Sequence, residues 1–445
     1  MFKYDHFLKK PVKLTPPQIL LFGFLTVIVI GAFFLTLPFS TVEPISIIDA
    51  FFTAVSATTV TGLAVVDTGT TFTLFGQIVI MLMIQIGGLG FLTLAVMVIL
   101  LFGKKVGLRE RLLVQEAFNL TNIGGIVRLI KVLFIFSMTF ELMATCILSF
   151  RWVPEYGFSK GVYISLFHSI SAFNNAGFSL FSNSLMNYVN DPLINLTITI
   201  LFIIGGLGFT VIFDIWNKRR FKLLSIHSKL MIIGTLITNG VAMLLIFLME
   251  FGNPHTLGSM NLLDKFWASY FQAVTPRTAG FNSLDIAHMH ESSLTLMMLL
   301  MFIGAGSAST GSGIKLTTMM IILISVLHFL KGNKEPVIYR RTIRHDVVIK
   351  ALSISFISLC FVFITIFLLT MTEKAPFIDI VFETFSAFGT VGLSMGLTPD
   401  LTFLGKVVLS ILMFIGRVGS LTIVFIFMKR TKSPIRYPEG EVFVG

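Results

Sequence analysis

Four short loops share a residue pattern suited to holding a bare cation. They read Thr59-Val60-Thr61-Gly62-Leu63, Asn174-Asn175-Ala176-Gly177-Phe178, Arg277-Thr278-Ala279-Gly280-Phe281 and Gly389-Thr390-Val391-Gly392-Leu393, with glycines at intervals of 115, 103 and 112 residues. A monovalent cation stripped of water needs several oxygens at fixed spacing, and main-chain carbonyls supply them where a backbone turns inward. Glycine permits the positive φ of such a turn, leaving the Thr, Val and Ala side chains to pack outward. One copy alone reads equally well as an ordinary turn. Four copies point to a ring of carbonyls around a single ion path. Arg277 stands where it could repel ions. With its carbonyl inward its side chain points away, and a cation suits a helix C-terminus, so it is expected to be a structural anchor.

A second constellation lies about 25 residues after each of these glycines. It reads Ile86-Gly87-Gly88-Leu89-Gly90, Ile204-Gly205-Gly206-Leu207-Gly208, Ile303-Gly304-Ala305-Gly306 and Ile415-Gly416-Arg417-Val418-Gly419. Small residues inside membrane helices commonly mark close packing, which competes here with a gating role. The third copy runs on as Gly304-Ala305-Gly306-Ser307-Ala308-Ser309-Thr310-Gly311-Ser312-Gly313-Ile314-Lys315. That is a poor helix, and irregular backbone at membrane depth must be buried or line a cavity. It resembles a phosphate loop only in spelling, since Ser312 takes the lysine's place and no soluble strand precedes it. A flexible plug beneath the four loops is the favoured role. Arg417 sits in mid-span, where insertion costs roughly 2.5–3.5 kcal/mol. It therefore requires a partner, and the carbonyls and hydroxyls of the broken segment are the expected one, as a latch.

These loops need apolar elements to position them. The chain has 445 residues, 55% hydrophobic and 12% charged, with 47 phenylalanines. About 25% charge is usual for a soluble domain, so lipid is the expected solvent. Apolar runs long enough to span a bilayer cover residues 17–38, 132–150, 193–213, 230–249, 347–370 and 407–428. Residues 67–102 and an interrupted 294–330 also qualify. Segments 47–58, 163–173, 262–275 and 377–388, just before the loops, are too short to cross and fit re-entrant half-helices. Asp264 and Asp379 near two of their starts suit helix N-termini. The domain reading is four repeats: 1–102, 103–225, 226–345 with the broken second span, and 346–445. Each repeat holds an even number of crossings, so all enter the membrane in one sense around an axis along its normal.

Charge fixes an expected topology. Of 33 Lys and Arg, 25 fall in the N-tail, 102–131, 216–229, 330–350 and the tail from Lys429. By the positive-inside rule these are cytoplasmic, both termini included, and the glycine loops face outward. The net charge of +11 is thus a topology signal and not a nucleic-acid surface. Lys3, Lys9, Lys10 and Lys13 precede an apolar run over 20 residues long, read as a retained first span. Cys146 and Cys360 lie within spans and suggest neither disulfide nor metal. Glu141 is the one carboxylate clearly inside a span, whereas a proton relay usually needs a series. Glu383 has Arg277 or Lys374 as candidate partners. No His-Glu-x-x-His motif and no paired intramembrane aspartates support an embedded enzyme, and no organic cofactor is expected.

These residues resemble the Trk/Ktr/HKT superfamily of potassium transporters over essentially the whole chain, closest to the membrane subunits of bacterial Ktr systems. The resemblance implies an all-α integral membrane fold of four covalently linked helix–pore helix–helix repeats, with pseudo-fourfold symmetry around a central pore and eight transmembrane helices. It makes Gly62, Gly177, Gly280 and Gly392 the selectivity determinants for K+, Gly304–Gly313 the gating loop and Arg417 the mid-membrane arginine. It further implies a cell-membrane homodimer and a cytosolic ring of nucleotide-binding (RCK-type) regulatory subunits, with sodium stimulating uptake. Obligatory coupling to Na+ or H+ is the alternative. The basic linkers fit an acidic partner and anionic lipid headgroups equally, and the apolar end Val442–Gly445 is a candidate docking tail.

Overall fold

The computed structural model describes residues 15–117, 125–333 and 335–427, with Pro438 and Gly440. The N-tail lysines, the basic residues of the tail from Lys429 and residues 442–445 lie outside the described residues. Each repeat opens with an unbroken span: Pro16–Leu35, Ile126–Tyr156, Ile226–Glu250 and His345–Thr372. These four are long and apolar enough to cross a membrane. Leu74–Leu89 with Phe91–Leu100, and Pro192–Leu207 with Phe209–Lys218, add two bent crossings. The corresponding helix pairs of the last repeats, Glu291–Phe302 with Leu316–Leu330 and Phe403–Val418 with Ser420–Phe427, bring the set to eight among the described residues.

The second spans depart from the sequence expectation. Only the third was expected to break, yet all four do. The first, second and fourth break at Gly90, Gly208 and Gly419, whose φ values of +85°, +100° and +96° no helix accommodates. The first two bend by 94° and 93°. Each breaking glycine stands three residues after Gly87, Gly205 or Gly416. In the third repeat Ser307 holds that place, and the chain leaves the helix as an irregular excursion instead.

The half-helices are Ile47–Thr59, Phe158–Phe173, Leu262–Val274 and Phe377–Gly389. Side-chain caps start the first and third: the Ser46 side chain accepts from Asp49 N and the Asn261 side chain from Asp264 N. Asp49, Asp264 and Asp379 occupy first turns, where carboxylates offset the positive helix end. The glycines of the second spans explain how the half-helices fit. A Cβ at Gly87, Gly205 or Gly416 would strike the carbonyl oxygen of Thr58, Phe173 or Phe388 respectively, each near the end of its own half-helix. Small residues there allow helix and backbone to touch, which is the packing role.

One apolar cluster joins the first and last repeats around Phe52, Phe72, Phe388 and Leu409. Another joins the second and third around Phe173, Phe202, Phe271 and Phe281. Many other phenylalanines, such as Phe150 and Phe363, are exposed on the outside of the bundle, as expected where the solvent is lipid. Lys406 Nζ donates to Asp49 Oδ1 at 2.6 Å, tying the last repeat to the first half-helix. Lys406→Met strands a largely desolvated carboxylate, a change costing roughly 1–3 kcal/mol. The thermal midpoint in detergent is expected to fall by a few degrees, and an unshifted midpoint would show that this tie adds nothing.

Candidate functional site: a closed ring of four loops

The four glycine loops meet around one centre. An added Cβ at Gly62 would lie 3.0 Å from Gly177 Cα, one at Gly177 2.9 Å from Gly280 Cα, and one at Gly392 3.0 Å from Gly62 Cα. At Gly280 it would run into Val391 O. The order is therefore first, second, third, fourth and back to first, a closed circle. The facing oxygens are those of the residues just before the glycines. Ala176 O faces Gly62, Ala279 O faces Gly177, Val391 O faces Gly280 and Thr61 O faces Gly392.

Two left-handed residues shape each loop. The glycines have φ of +90°, +68°, +79° and +90°, and two residues earlier Val60, Asn175, Thr278 and Thr390 have +60°, +59°, +71° and +48°. Three of those four are β-branched, for which positive φ is an outlier. Such strain costs about 1–3 kcal/mol and persists only where the surroundings enforce it. Hydroxyls behind the loops supply part of that enforcement. Gly62 N donates to Ser56 Oγ and Gly392 N to Ser386 Oγ, both at 3.1 Å. Ser171 Oγ donates to Phe178 O at 2.7 Å, and Thr275 Oγ1 to Phe281 O. Thr61 N, Ala176 N and Val391 N donate backward to Ser56 O, Ser171 O and Ser386 O at 2.8 Å. With their donors directed into the half-helices, the loops have carbonyls left to present elsewhere.

These hydroxyls were missed in the sequence, although a serine stands six residues before three of the four glycines. Phe52, Phe167 and Phe382, ten residues before, are buried. Tyr270, their counterpart, bonds Thr199 Oγ1. Arg277 lies in the third loop with its guanidinium turned toward helix Ile226–Glu250, donating to Asn239 Oδ1 at 3.0 Å and Thr235 Oγ1 at 3.4 Å. Glu383 takes neither expected cation and accepts instead from the Thr398 hydroxyl. Glu141 is buried with Gln85 and Asn174, whose amide groups donate to it at 3.1–3.3 Å.

Outside the ring opens a cavity of about 260 Å³, lined by Gly62, Gly177, Gly280 and Gly392 together with Ser179, Asn282, Ser394 and Asp67. Asp67 is the one charged group among its described lining residues. The lining includes part of Gly392-Leu393-Ser394-Met395-Gly396, which spells a nucleophile-elbow pattern. Its serine follows a helix and not a strand, and its hydroxyl accepts from Gly396 N at 3.0 Å and from Thr398 Oγ1 at 3.1 Å.

On the other side of the loops the segment from Gly304 to Gly313 packs across the break in the second repeat. That break leaves the last carbonyls of Pro192–Leu207 without helical partners. The segment fills them: Gly306 N donates to Gly206 O at 2.8 Å and Thr310 N to Gly205 O at 3.2 Å. In return Ala308 O accepts from Phe209 N at 2.7 Å, and Ser309 Oγ and Lys315 Nζ cross-brace the turn. Ser307, Ala305, Ser312 and Gly311 complete it, with Ile303 bridged to Ile314 at its base. Arg417 answers the corresponding problem in the first repeat. Its guanidinium donates to Gly87 O and, at 3.1 Å, to Gly88 O, at the end of Leu74–Leu89. The same group donates to Thr310 O and to Ser312 Oγ at 3.3 Å. One side chain thus joins the first, third and fourth repeats.

A bundle of four quasi-equivalent quarters, with re-entrant half-helices aimed at a shared centre and broken spans beneath them, defines a polytopic protein of the ion-translocating class. The comparisons supply the particular family. The TrkH cation transport protein pattern matches residues 15–435, and the chain belongs to that family. It is 63% identical over 436 residues to the Ktr system potassium uptake protein B of Bacillus subtilis, covering 98% of both chains. It is 45% identical to the protein of the same name from Vibrio alginolyticus, over 96% of this chain and 95% of that one. It is also 39% identical to the potassium/sodium uptake protein NtpJ of Enterococcus hirae, over 98% and 99%. The crystal structure of the potassium transporter TrkH from Vibrio parahaemolyticus superposes with a TM-score of 0.74 at 20% identity, over 96% of this chain and 87% of that one. The fold is shared.

Proposed function

We propose that this chain takes up potassium across the cell membrane through the ring formed by its four glycine loops. The observation that carries the reading is the closed circle of Gly62, Gly177, Gly280 and Gly392 with four carbonyls directed between neighbours. Carbonyls so arranged replace a cation's hydration shell. Potassium is favoured because the relatives of highest identity reported above are named for its uptake. The four units 1–102, 103–225, 226–345 and 346–445 contribute one loop each. Gly304–Gly313, seated beneath the ring and held by Arg417, acts as the gate. The excess of Lys and Arg in the linkers supports cytoplasmic termini.

Further expectations rest on family likeness. The word system in two of the relatives' names supports a second subunit, here a cytosolic nucleotide-binding ring docking on the linkers. A homodimer follows from the same likeness. Sodium acts as stimulant or second ion, in keeping with the name of the Enterococcus relative. Purified protein in liposomes, with voltage clamped and no sodium or proton gradient, is expected to accumulate potassium in preference to sodium. Uptake that required a gradient of a second ion would replace the channel-like reading by an obligatorily coupled symporter.

A further inference from the structure

Asn175 stands between the ring and the segment beneath it. It is the left-handed residue two before Gly177 and is 1% exposed. Its Nδ2 donates to Thr278 Oγ1 at 3.2 Å, the equivalent left-handed residue of the next loop. Its Oδ1 accepts from Thr310 Oγ1 at 2.9 Å, within the Gly304–Gly313 segment. Thr310 in turn presents its carbonyl to Arg417. Gly311 lies so close to Thr278 that an added Cβ would strike Thr278 Oγ1. A continuous hydrogen-bonded chain therefore runs from Arg417 through Thr310 and Asn175 to Thr278.

The other repeats lack this link. Val60 at the matching position in the first has no polar side-chain atom to offer, and Thr390 in the fourth keeps a buried hydroxyl without a partner among the described residues. A buried carboxamide oxygen needs a donor, and among the described residues Thr310 is its donor. When the segment is displaced, that oxygen loses its partner and Asn175 must turn to find another. Thr278, a β-branched residue at positive φ, then loses the side chain that braces it. Carbonyls on either side of these two residues belong to the second and third loops, so their positions shift with the segment.

We propose that Asn175 and Thr310 form a positioning pair through which the seated segment sets the ion discrimination of the second and third loops. This rests on the reading of those loops as ion-selecting. Selectivity then depends on the position of the segment, and not on the ring alone.

The test measures potassium and sodium uptake by the full-length protein in liposomes for Thr310→Val, Thr310→Ser, Asn175→Gly and the Thr310→Val/Asn175→Gly double variant, with Gly62→Ser as reference. Thr310→Val keeps the shape and removes the hydroxyl. Asn175→Gly keeps positive φ accessible and removes the side chain, so it decides the question even if the valine variant fails to assemble. Each is expected to lower the potassium-to-sodium ratio by about fivefold to tenfold, the equilibrium worth of one buried hydrogen bond. Thr310→Ser should hold the wild-type ratio, and the double variant should fall no further than either single one. A wild-type ratio in Asn175→Gly, or lower total uptake at an unchanged ratio, overturns the proposal and leaves the pair a structural contact. Losses that multiply in the double variant overturn it too. If Gly62→Ser also leaves the ratio untouched, the reading of the loops as ion-selecting is what fails.

Discussion

Replacing Gly62 with serine is expected to lower the potassium-to-sodium uptake ratio by at least about tenfold, which corresponds to roughly 1.4 kcal/mol. Two effects act together at this position. A φ of +90° is one that a residue with a Cβ adopts only under strain. The added carbon also has no room, because it would strike Ala176 O and stand 3.0 Å from Gly177 Cα. Both obstacles are backbone, so no side-chain rotation relieves them. The first and second loops must separate, and the carbonyls between them move away from the spacing a dehydrated cation requires. Serine at Gly177, Gly280 or Gly392 meets the next or previous loop in the same way and should lower the ratio as well. Gly240 is the control: it lies within a first span, and a Cβ there meets nothing within 4 Å. Gly240→Ser should be silent. Ratios that stayed at the wild-type value in all four ring variants would remove the loops from ion selection.

Arg417→Ala is expected to raise the initial rate of potassium uptake severalfold and to lower the thermal midpoint at the same time. The arginine supplies donors to Gly87 O, Gly88 O and Thr310 O, three acceptors from two different repeats. Hydrogen bonds from a charged donor are worth roughly 1.5–3 kcal/mol each. Losing even about 2 kcal/mol of hold on the segment shifts the ratio of seated to displaced forms by roughly thirtyfold. Removing a fixed positive charge beneath the ring also lowers the barrier to a cation. Arg417→Lys separates the two contributions. Lysine keeps the charge but lacks the planar fork that reaches several carbonyls at once, so a rate closer to that of alanine identifies the latch as the larger effect. Unaltered rate and selectivity in Arg417→Ala would sink the gate assignment.

The amino-acid sequence by itself determined the lipid-facing character of the chain, the four repeats and the four glycine loops. Each is a local or periodic signal: apolar runs of spanning length, a returning pentapeptide, basic residues gathered on alternate segments. The half-helices were legible for the same reason, being short apolar runs ahead of each loop. The breaks at Gly90, Gly208 and Gly419 were not. A glycine inside an apolar run is compatible with close packing in a straight helix or with a bend. The choice depends on what waits to receive the carbonyls the bend exposes. Those receivers, Arg417 for the first repeat and the amides of Gly306 and Thr310 for the second, come from more than 90 residues away.

Only the tertiary structure decided which loop neighbours which, and that the ring closes by setting Gly392 against Gly62. It also decided that Asn175 bonds the segment beneath while Arg277, one place earlier in the register of the next loop, turns away to Asn239. The physical reason is that hydrogen-bond partners at these sites are set by how the repeats pack around their centre, and four weakly similar repeats have side chains that break the symmetry wherever they differ.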